Sequence, residues 1–276
     1  MECPKEFENL LKSTDEKLIG MGNPSAKIMI VGKESAIPVG KDDAGDLQYC
    51  KEILNNKIMW ESNLRSDISQ DSIIPCQFDD IGNILNFREE TYNPLYPYKG
   101  QQCCVRRKRV YKGKNIIASP KGTSLTWYNY QKLCDCIRGR SSVSTDMINF
   151  HRYFFTTELS VVAGKTSKEV DKRARKKSID DRKIYFANDF FKHFPIIILA
   201  AGNYPDMFGI SHETFWGPVD NINRKCSNGI YNIVYSYGVF NRMFIRTYQL
   251  SMVPNDLIKR IADICIDFSN KFGIKI

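Results

Sequence analysis

The sequence predicts an α/β fold, and more specifically a three-layer α/β/α sandwich whose central sheet has four mostly parallel strands. Three apolar runs, at residues 28–31, 153–157 and 196–202, have the length and composition of strands buried on both faces. Segments with helical spacing of apolar residues lie between them. Because strands and helices alternate, the sheet should be parallel, and 276 residues with 42% hydrophobic content suffice for a single domain over residues 1–276.

Charge and cysteine usage narrow the class of protein. Forty lysines and arginines against thirty-one acidic residues give a formal charge of +9, which favours polyanionic partners. The nine cysteines form neither a CxxC pair nor a histidine ligand spacing, so we expect reduced thiols, a cytoplasmic location and no metal. Without a Walker loop or a Gly-x-Gly-x-x-Gly motif we expect no cofactor. No apolar run approaches the roughly 20 residues of a membrane span, so no membrane association is expected.

Amphipathic helices are predicted on both sides of the first strand. The leading helix, at residues 5–20, is closed by the glycines and proline at residues 20–24. A second helix follows the strand over residues 47–54, and this order of strand and helix is the repeating unit of an α/β fold. The apolar positions are Phe7, Leu10, Leu11 and Leu18 in the first helix and Leu47, Cys50, Ile53 and Leu54 in the second.

Residues 60–122 are rich in turn formers and predict a basic insertion or long loop system. Between Glu90 and Asp135 there is no carboxylate, while nine lysines and arginines are interleaved with seven tyrosines and tryptophans. Cations that bind phosphate and rings that stack on bases are the combination used for single-stranded or distorted nucleic acid. A solvated basic β-hairpin at residues 105–117 with locally packed tyrosines explains the same pattern equally well.

The second half of the chain continues the alternation. A helix at residues 124–137 carries Trp127 and Tyr130 on its apolar face, and the strand at residues 153–157 follows it. One helix, with a charged entry from residue 165 and an aromatic second half, runs up to Pro195. After the strand at residues 196–202, a hairpin-like bend at residues 231–245 leads into the last strand. A closing helix is predicted at residues 255–268.

Polar side chains follow the ends of these strands. Lys33, Glu34 and Ser35 come after Gly32 at the first strand, and Glu158 comes at the end of the second. Asn203 follows the third strand, and the last strand ends in the segment at residues 246–251. Since ligands of open α/β sheets bind beyond the carboxyl ends of the strands, these side chains are predicted to line one site.

The order of these motifs resembles the uracil-DNA glycosylase superfamily over about residues 20–270. The shared features are a strand ending in Gly-Lys-Glu-Ser (32–35), a helix with a tryptophan, and a strand ending in Thr-Thr-Glu (156–158). A further helix, a strand ending in Gly-Asn (202–203) and a last strand with Arg-Thr-Tyr-Gln-Leu-Ser (246–251) follow. The resemblance implies a glycosylase-like fold, DNA as partner, and cleavage of the N-glycosidic bond of a flipped-out base.

Individual positions match the family to different degrees. Glu34 stands where the family has a carboxylate or amide two residues after the glycine. Glu158 replaces the asparagine that reads the base edge, and Arg246 replaces the histidine that begins the last loop. Leu250 and Ser251 match the end of that loop, where the family has its wedge residue.

The same residues suit this chemistry without reference to the family. The transition state of N-glycosidic cleavage resembles an oxocarbenium ion, so a carboxylate near the sugar, here Glu34, can activate water or stabilise charge. Arg246 is permanently cationic and can stabilise the departing base, with Gln249 adding an amide. Glu158 can accept hydrogen bonds from the base. Leu250, if exposed, can wedge into the base stack, and Ser251 can hold a phosphate.

Each assignment has a structural alternative. Glu34 and Arg246 can form an ion pair across the sheet edge, Glu158 can cap backbone amides, and Leu250 can be an ordinary core residue. Three functions stay open at this point: a glycosylase-like hydrolase, a nucleic-acid-binding protein with the same fold and no catalysis, and an enzyme acting on a nucleotide or small metabolite.

Overall fold

The protein has an α/β fold in which a seven-stranded mixed sheet carries helices on both faces. The computed structural model describes residues 3–41, 43–65, 108–111, 114–117, 125–140, 149–219, 222–227, 229–237 and 240–276. The helices are α1 (Lys5–Ser13), α2 (Asp43–Tyr49), α3 (Asn56–Arg65), α4 (Leu125–Ile137), α5 (Lys172–Phe186), α6 (Asp189–Lys192), α7 (Tyr204–Phe208), α8 (Glu213–Trp216) and α9 (Asn255–Phe272). A π-helical turn at Cys50–Leu54 follows α2, and a 3-10 turn lies at Phe150–Arg152.

Four of the seven strands are parallel and occupy the middle of the sheet. The strands are β1 (Met21–Gly22), β2 (Ile28–Gly32), β5 (Phe154–Glu158), β6 (Ile196–Ala200), β7 (Ile222–Ser227), β8 (Ile230–Ser236) and β9 (Arg242–Thr247), in the order β1-β5-β2-β6-β9-β8-β7. β5, β2, β6 and β9 run parallel, whereas β1 and the β8–β7 ribbon add antiparallel strands at the two edges.

The predicted four-stranded sheet is therefore wrong in strand number. β1 has two residues, which is too short for any period to be read from the sequence. β7 contains Asn223, Arg224 and Lys225 and is solvent-exposed at these positions, so it lacks the apolar run on which the prediction depended. The α/β class is confirmed, since the sheet has helices on both faces. The interior strands were predictable because a strand that is buried on both faces needs a continuous apolar run.

Alternating residues of the central strands face two separate cores. Met29 and Val31 of β2 pack with the side chains of α1, α5 and α8, while Ile28 and Ile30 pack with those of α4 and α9. A side-chain period of two in a strand sends successive residues to opposite faces, and helices cover both. The sheet is thus the middle layer between two layers of helices.

Two predicted helices differ from the observed ones. The leading helix ends at Ser13 rather than at residue 20, and the chain that follows is extended up to β1. The helix predicted up to Pro195 is divided into α5 and α6, because the Asn188 side chain accepts a hydrogen bond from the Phe190 amide at 3.0 Å and caps a new helix.

Only part of the basic region at residues 60–122 is described. β3 (Lys108–Tyr111) and β4 (Lys114–Ile117) form an antiparallel hairpin separate from the main sheet, as the hairpin alternative predicts. The other predictions for residues 66–107 and 118–124 lie outside the described residues. In the described part of the chain, the helices are too short or too polar to cross a bilayer. Cys50, Cys134, Cys136 and Cys265 are free thiols.

Candidate active site

The four parallel strands end together along one side of the sheet, which we call the carboxyl edge. In the strand register Gly32 of β2 lies beside Glu158 of β5, and Ala200 of β6 lies beside Thr247 of β9. The loops after β2 and β5 continue side by side, because the Leu159 amide donates to the Gly32 carbonyl at 3.0 Å. The predicted residues Gly32, Lys33, Glu34, Ser35 and Glu158 are therefore brought together.

Glu34 is a buried carboxylate whose two oxygens differ. The Tyr204 hydroxyl donates to Oε1 at 2.9 Å, and Nη2 of Arg175 lies 3.8 Å from the same oxygen. The other oxygen, Oε2, is buried and has no hydrogen-bond partner among the described residues. A buried carboxylate oxygen without a donor is costly, so this atom is the natural contact point for a water or a ligand group.

Local sequence explains how the partners of Glu34 are placed. Asp171 caps α5 by accepting from the Ala174 amide at 2.7 Å, and this fixes the first turn, which contains Arg175. Arg175, Ser178, Ile179 and Arg182 recur at helical spacing and form the buried face of α5. Tyr204 begins α7 directly after the turn at Gly202, which has φ +59°. A side chain at residue 202 would be strained by this backbone conformation.

Glu158 lies over the backbone of β2. A methyl group placed on Gly32 would overlap the Glu158 carboxyl group, so glycine at this position leaves room for that group where it now lies. Burial, together with repulsion from Glu34, raises the pKa of Glu158 to about 8. At neutral pH Glu158 is therefore mostly protonated and carries an O–H donor beside Glu34.

Lys33 adds a cation to the same cluster. Its Nζ atom lies 4.7 Å from the centre of the Tyr204 ring, whose hydroxyl holds Glu34. Burial and the neighbouring Glu34 raise the pKa of the Tyr204 hydroxyl to about 12, which keeps it in the donor form. The cluster thus combines two carboxyl groups, one amine and one phenol around the end of β2.

Arg182 anchors the β5 side of the cluster. This fully buried guanidinium donates from Nε to the Glu158 carbonyl at 3.0 Å and from Nη2 to the Thr157 hydroxyl at 2.7 Å. It also donates from Nη1 to the Leu18 carbonyl at 2.5 Å. Because one rigid fork binds both the end of β5 and the chain before β1, the position of Glu158 is fixed from behind.

Arg246 lies apart from this cluster and has a different acidic partner. Both of its terminal nitrogens donate to the carboxylate of Asp206 in α7, with Nη1 to Oδ1 at 2.7 Å. β9 is two strands away from β2, which at about 4.8 Å per strand separates their backbones by about 10 Å. The alternative of a Glu34–Arg246 ion pair is thus not observed, since each side chain is engaged by another residue.

The remaining predicted residues lie around Arg246 or in the loop after β9. Asn203 is exposed and donates from Nδ2 to the Met207 sulfur at 3.3 Å, along α7. Gln249 and Ser251 are half-buried. Leu250 is fully buried in the α4–α9 core, which corrects the expectation of an exposed wedge and matches the core alternative. Asn129 of α4 holds this loop by donating to the Leu250 carbonyl at 2.7 Å.

Sequence reasoning missed three residues that define the edge: Arg175, Arg182 and Asp206. It placed Tyr204 at the edge, after Asn203, but gave it no role. Arg175 and Arg182 belong to the helix part that was predicted only as a charged entry. The available signal was that Arg175, Ser178, Ile179 and Arg182 share one face of the helix and that Ile179 requires this face to be buried. The contacts of Asp206 and Tyr204 had no local signal, because their partners are 40 and 170 positions away in the chain.

The described residues contain no group of three or more histidine, cysteine, aspartate or glutamate side chains that could hold a metal ion. No protein-family model matches the chain, and no curated protein is significantly similar to it. Function must therefore be inferred from the chemistry of the carboxyl edge itself.

Proposed function

We propose that the protein is a glycosylase-like hydrolase that cleaves the N-glycosidic bond of an unpaired or flipped-out base in DNA. The observation that carries this proposal is the buried Glu34 carboxylate with its second oxygen unpartnered, next to a protonated Glu158. One carboxyl group that accepts and another that donates are the pair needed for cleavage of a glycosidic bond.

Glu34 has the role of activating water or stabilising the positive charge that develops on the sugar. Tyr204 and Arg175 hold its Oε1 atom, so its orientation is set before a substrate binds. Oε2 is left to accept a proton from water or to face the sugar. Both roles require a carboxylate, and an amide of the same shape supplies neither.

Glu158 has the role of donating a hydrogen bond to the base. A protonated carboxyl group can donate to a ring nitrogen or a carbonyl oxygen as it leaves, whereas a carboxylate can only accept. Its pKa of about 8 keeps the donor form at neutral pH. In this protonation state Glu158 favours bases that present a hydrogen-bond acceptor, such as a carbonyl oxygen or a ring nitrogen, toward it.

The cation that stabilises the departing base is assigned to Lys33 in preference to Arg246. Lys33 Nζ lies on the ring of Tyr204, the residue that holds Glu34. Arg246 has both terminal nitrogens bound to Asp206, which leaves the guanidinium less able to move toward a leaving group. DNA as the partner is supported by the charge of +9.

The test is base excision from oligonucleotides that contain uracil, hypoxanthine, xanthine or an alkylated base, with and without a metal chelator. Wild-type protein is expected to release at least one of these bases in the presence of the chelator. Glu34→Gln is expected to slow release by about 10²- to 10⁴-fold, the usual contribution of a positioned acid or base. The proposal is rejected if Glu34→Gln releases the base at the wild-type rate, or if wild type releases none of these bases.

A second candidate is a nucleic-acid-binding protein without catalysis. It is favoured by one observation: Glu34 is only 6% exposed, so little of its carboxylate reaches solvent. This candidate predicts salt-dependent binding of oligonucleotides without any product. Charge reversal in the β3 strand, as in Lys108→Glu with Arg109→Glu, should then weaken binding and reduce its dependence on salt.

A further inference from the structure

An exposed pair of aromatic side chains lies at the β9 end of the carboxyl edge, beside the proposed active site. The rings of Tyr231 and Tyr248 are 4.7 Å apart between centroids, and the two residues are 40% and 46% exposed. The Arg246 guanidinium carbon lies 5.1 Å from the centre of the Tyr231 ring. Asp206 holds this arginine in place. The result is a ring pair with a fixed cation next to it, open to solvent.

The backbone of β8 is arranged so that Tyr231 reaches this position. Ile230 pairs with Thr247 and Asn232 pairs with Arg246, so Tyr231 is the extra residue of a β-bulge. A bulge changes the direction of a side chain relative to the strand, and bulges are frequent beside functional sites. Tyr248 is the first residue after β9, the strand that pairs with β8, and its ring contacts that of Tyr231.

Leu250, in the loop that follows Tyr248, does not supply a side chain that could enter a base stack. Leu250 is fully buried, and Asn129 binds the loop backbone to α4. The exposed large side chains at this end are Tyr231, Tyr248 and, further along the same loop, Met252. Aromatic rings beside an arginine are better suited to stack on bases that are already unpaired.

We propose that Tyr231, Tyr248 and Arg246 form a stacking platform for the bases of a single-stranded nucleic acid. The platform rests on the proposed function, since it would hold the bases adjacent to the one that is cleaved. It specifies a single-stranded substrate where the proposed function leaves single-stranded and flipped-out bases open. Stacking does not discriminate strongly among bases, so the platform confers strand preference and not sequence preference.

The chain offers a matched control at the opposite end of β9. Phe240 is 67% exposed in the connection before β9, and the Arg242 guanidinium carbon lies 5.3 Å from the centre of its ring. This is also an exposed aromatic ring with an arginine, but it lies at the amino end of the parallel strands. A general effect of removing a surface ring would appear equally in Tyr248→Ala and Phe240→Ala.

The experiment measures binding of a fluorescent mixed-sequence single strand, and of the same strand in a duplex, to wild type, Tyr248→Ala, Tyr231→Ala and Phe240→Ala. We expect wild type to prefer the single strand. Each tyrosine variant should lose about 5- to 100-fold in affinity for it, the range for one stacked base. The slope of affinity with salt should be unchanged, since no charge is removed. Phe240→Ala should bind like wild type.

The outcomes separate this proposal from the proposed function. Equal affinity of Tyr248→Ala, Tyr231→Ala and wild type overturns the platform, as does the absence of single-strand binding or a change in oligomeric state that accounts for the loss. If the tyrosine variants bind like wild type and still release a base, the platform is rejected and the proposed hydrolase function stands. Weakened binding by the tyrosine variants without release of any base by wild type supports the platform and rejects the hydrolase.

Discussion

Two carboxylate–arginine pairs lie along the carboxyl edge, and they differ in burial and in the use of their oxygens. In the Glu34–Arg175 pair the side chains are only 3% and 9% exposed, and one carboxylate oxygen has no partner among the described residues. In the Asp206–Arg246 pair the Asp206 side chain is 70% exposed, and the guanidinium binds both of its oxygens. The same two chemical groups therefore form a buried, incompletely paired carboxylate at one end and a fixed surface pair at the other.

The difference shows what decides the role of a charged pair in this fold. An exposed bidentate pair is solvated and contributes little free energy, so its effect is to orient Arg246 beside Tyr231. A buried pair with an unpartnered oxygen carries a desolvation cost that its own contacts do not fully offset, which is the property that the proposed function uses. Position in the strand order separates the two, since β2 lies at the centre of the parallel strands and β9 begins their antiparallel extension.

The largest expected effect is on stability when Arg175 is removed. Arg175→Met leaves the buried Glu34 carboxyl group without its cation and removes a hydrogen bond to the Ser167 carbonyl. Breaking a buried pair from one side costs about 3–5 kcal/mol, so the urea midpoint should fall well below that of wild type. Arg173→Met, an exposed change two residues earlier in α5, is the control. Equal midpoints for the two variants would show that the Glu34 pair is not a buried one.

A smaller effect is expected from pH acting on Glu158. Its pKa is about 8 in the folded protein against an ordinary value of 4.5, so the folded state holds a proton that the unfolded state releases. This contribution to stability is present below pH 4.5 and is lost as pH rises through 8. Between about pH 4.5 and pH 7, wild type should therefore lose on the order of 3 kcal/mol of stability that Glu158→Gln keeps.

Thermal or urea unfolding at several pH values measures this difference. Glu213→Gln, which changes an exposed glutamate, is the matched control and should follow the wild-type pH dependence. A Glu158→Gln variant that loses stability over this pH range in parallel with wild type would mean that another group causes the loss.

The smallest effect is expected at the exposed pair. Asp206→Asn removes one charge from a solvated ion pair, so unfolding should change by less than about 1 kcal/mol. Base release per bound substrate should stay close to that of wild type, because neither Asp206 nor Arg246 contacts Glu34. Single-turnover reactions measure this rate. If Asp206→Asn slowed base release as much as Glu34→Gln does, the Asp206–Arg246 pair would take part in the reaction, and the two pairs would not differ in role.

Buried strands and the carboxyl edge were predictable from the sequence, for a specific physical reason. Apolar runs such as those of β2, β5 and β6 are required only where both faces of a strand are covered, and such strands gather at the centre of the sheet. Their ends therefore meet, and Glu34 and Glu158 could be assigned to one site before any contact was known. The hairpin of β3 and β4 was also predictable, as one of two alternatives for the basic segment at residues 105–117.

The partners of the site residues could not be predicted in the same way. Arg175, Tyr204 and Asp206 act through contacts across the fold, and local periodicity carries no information about which strand a helix end will meet. Leu250 shows the converse error: its place after the last strand suggested an exposed loop, but Asn129 in a distant helix binds the loop backbone and buries the side chain. Edge strands such as β7 stay invisible because a solvated strand needs no apolar pattern.

The most direct test of the Glu34–Glu158 pair is the pH dependence of base release by wild type and Glu158→Gln between about pH 6 and pH 10, in single-turnover reactions. Glu158 must be protonated to donate to the leaving base, whereas glutamine keeps an N–H donor that does not titrate. The rate of wild type should therefore fall as pH rises through about 8. Glu158→Gln should keep a substantial rate without that fall. The same alkaline fall in both proteins would contradict the assignment of Glu158 as the donor.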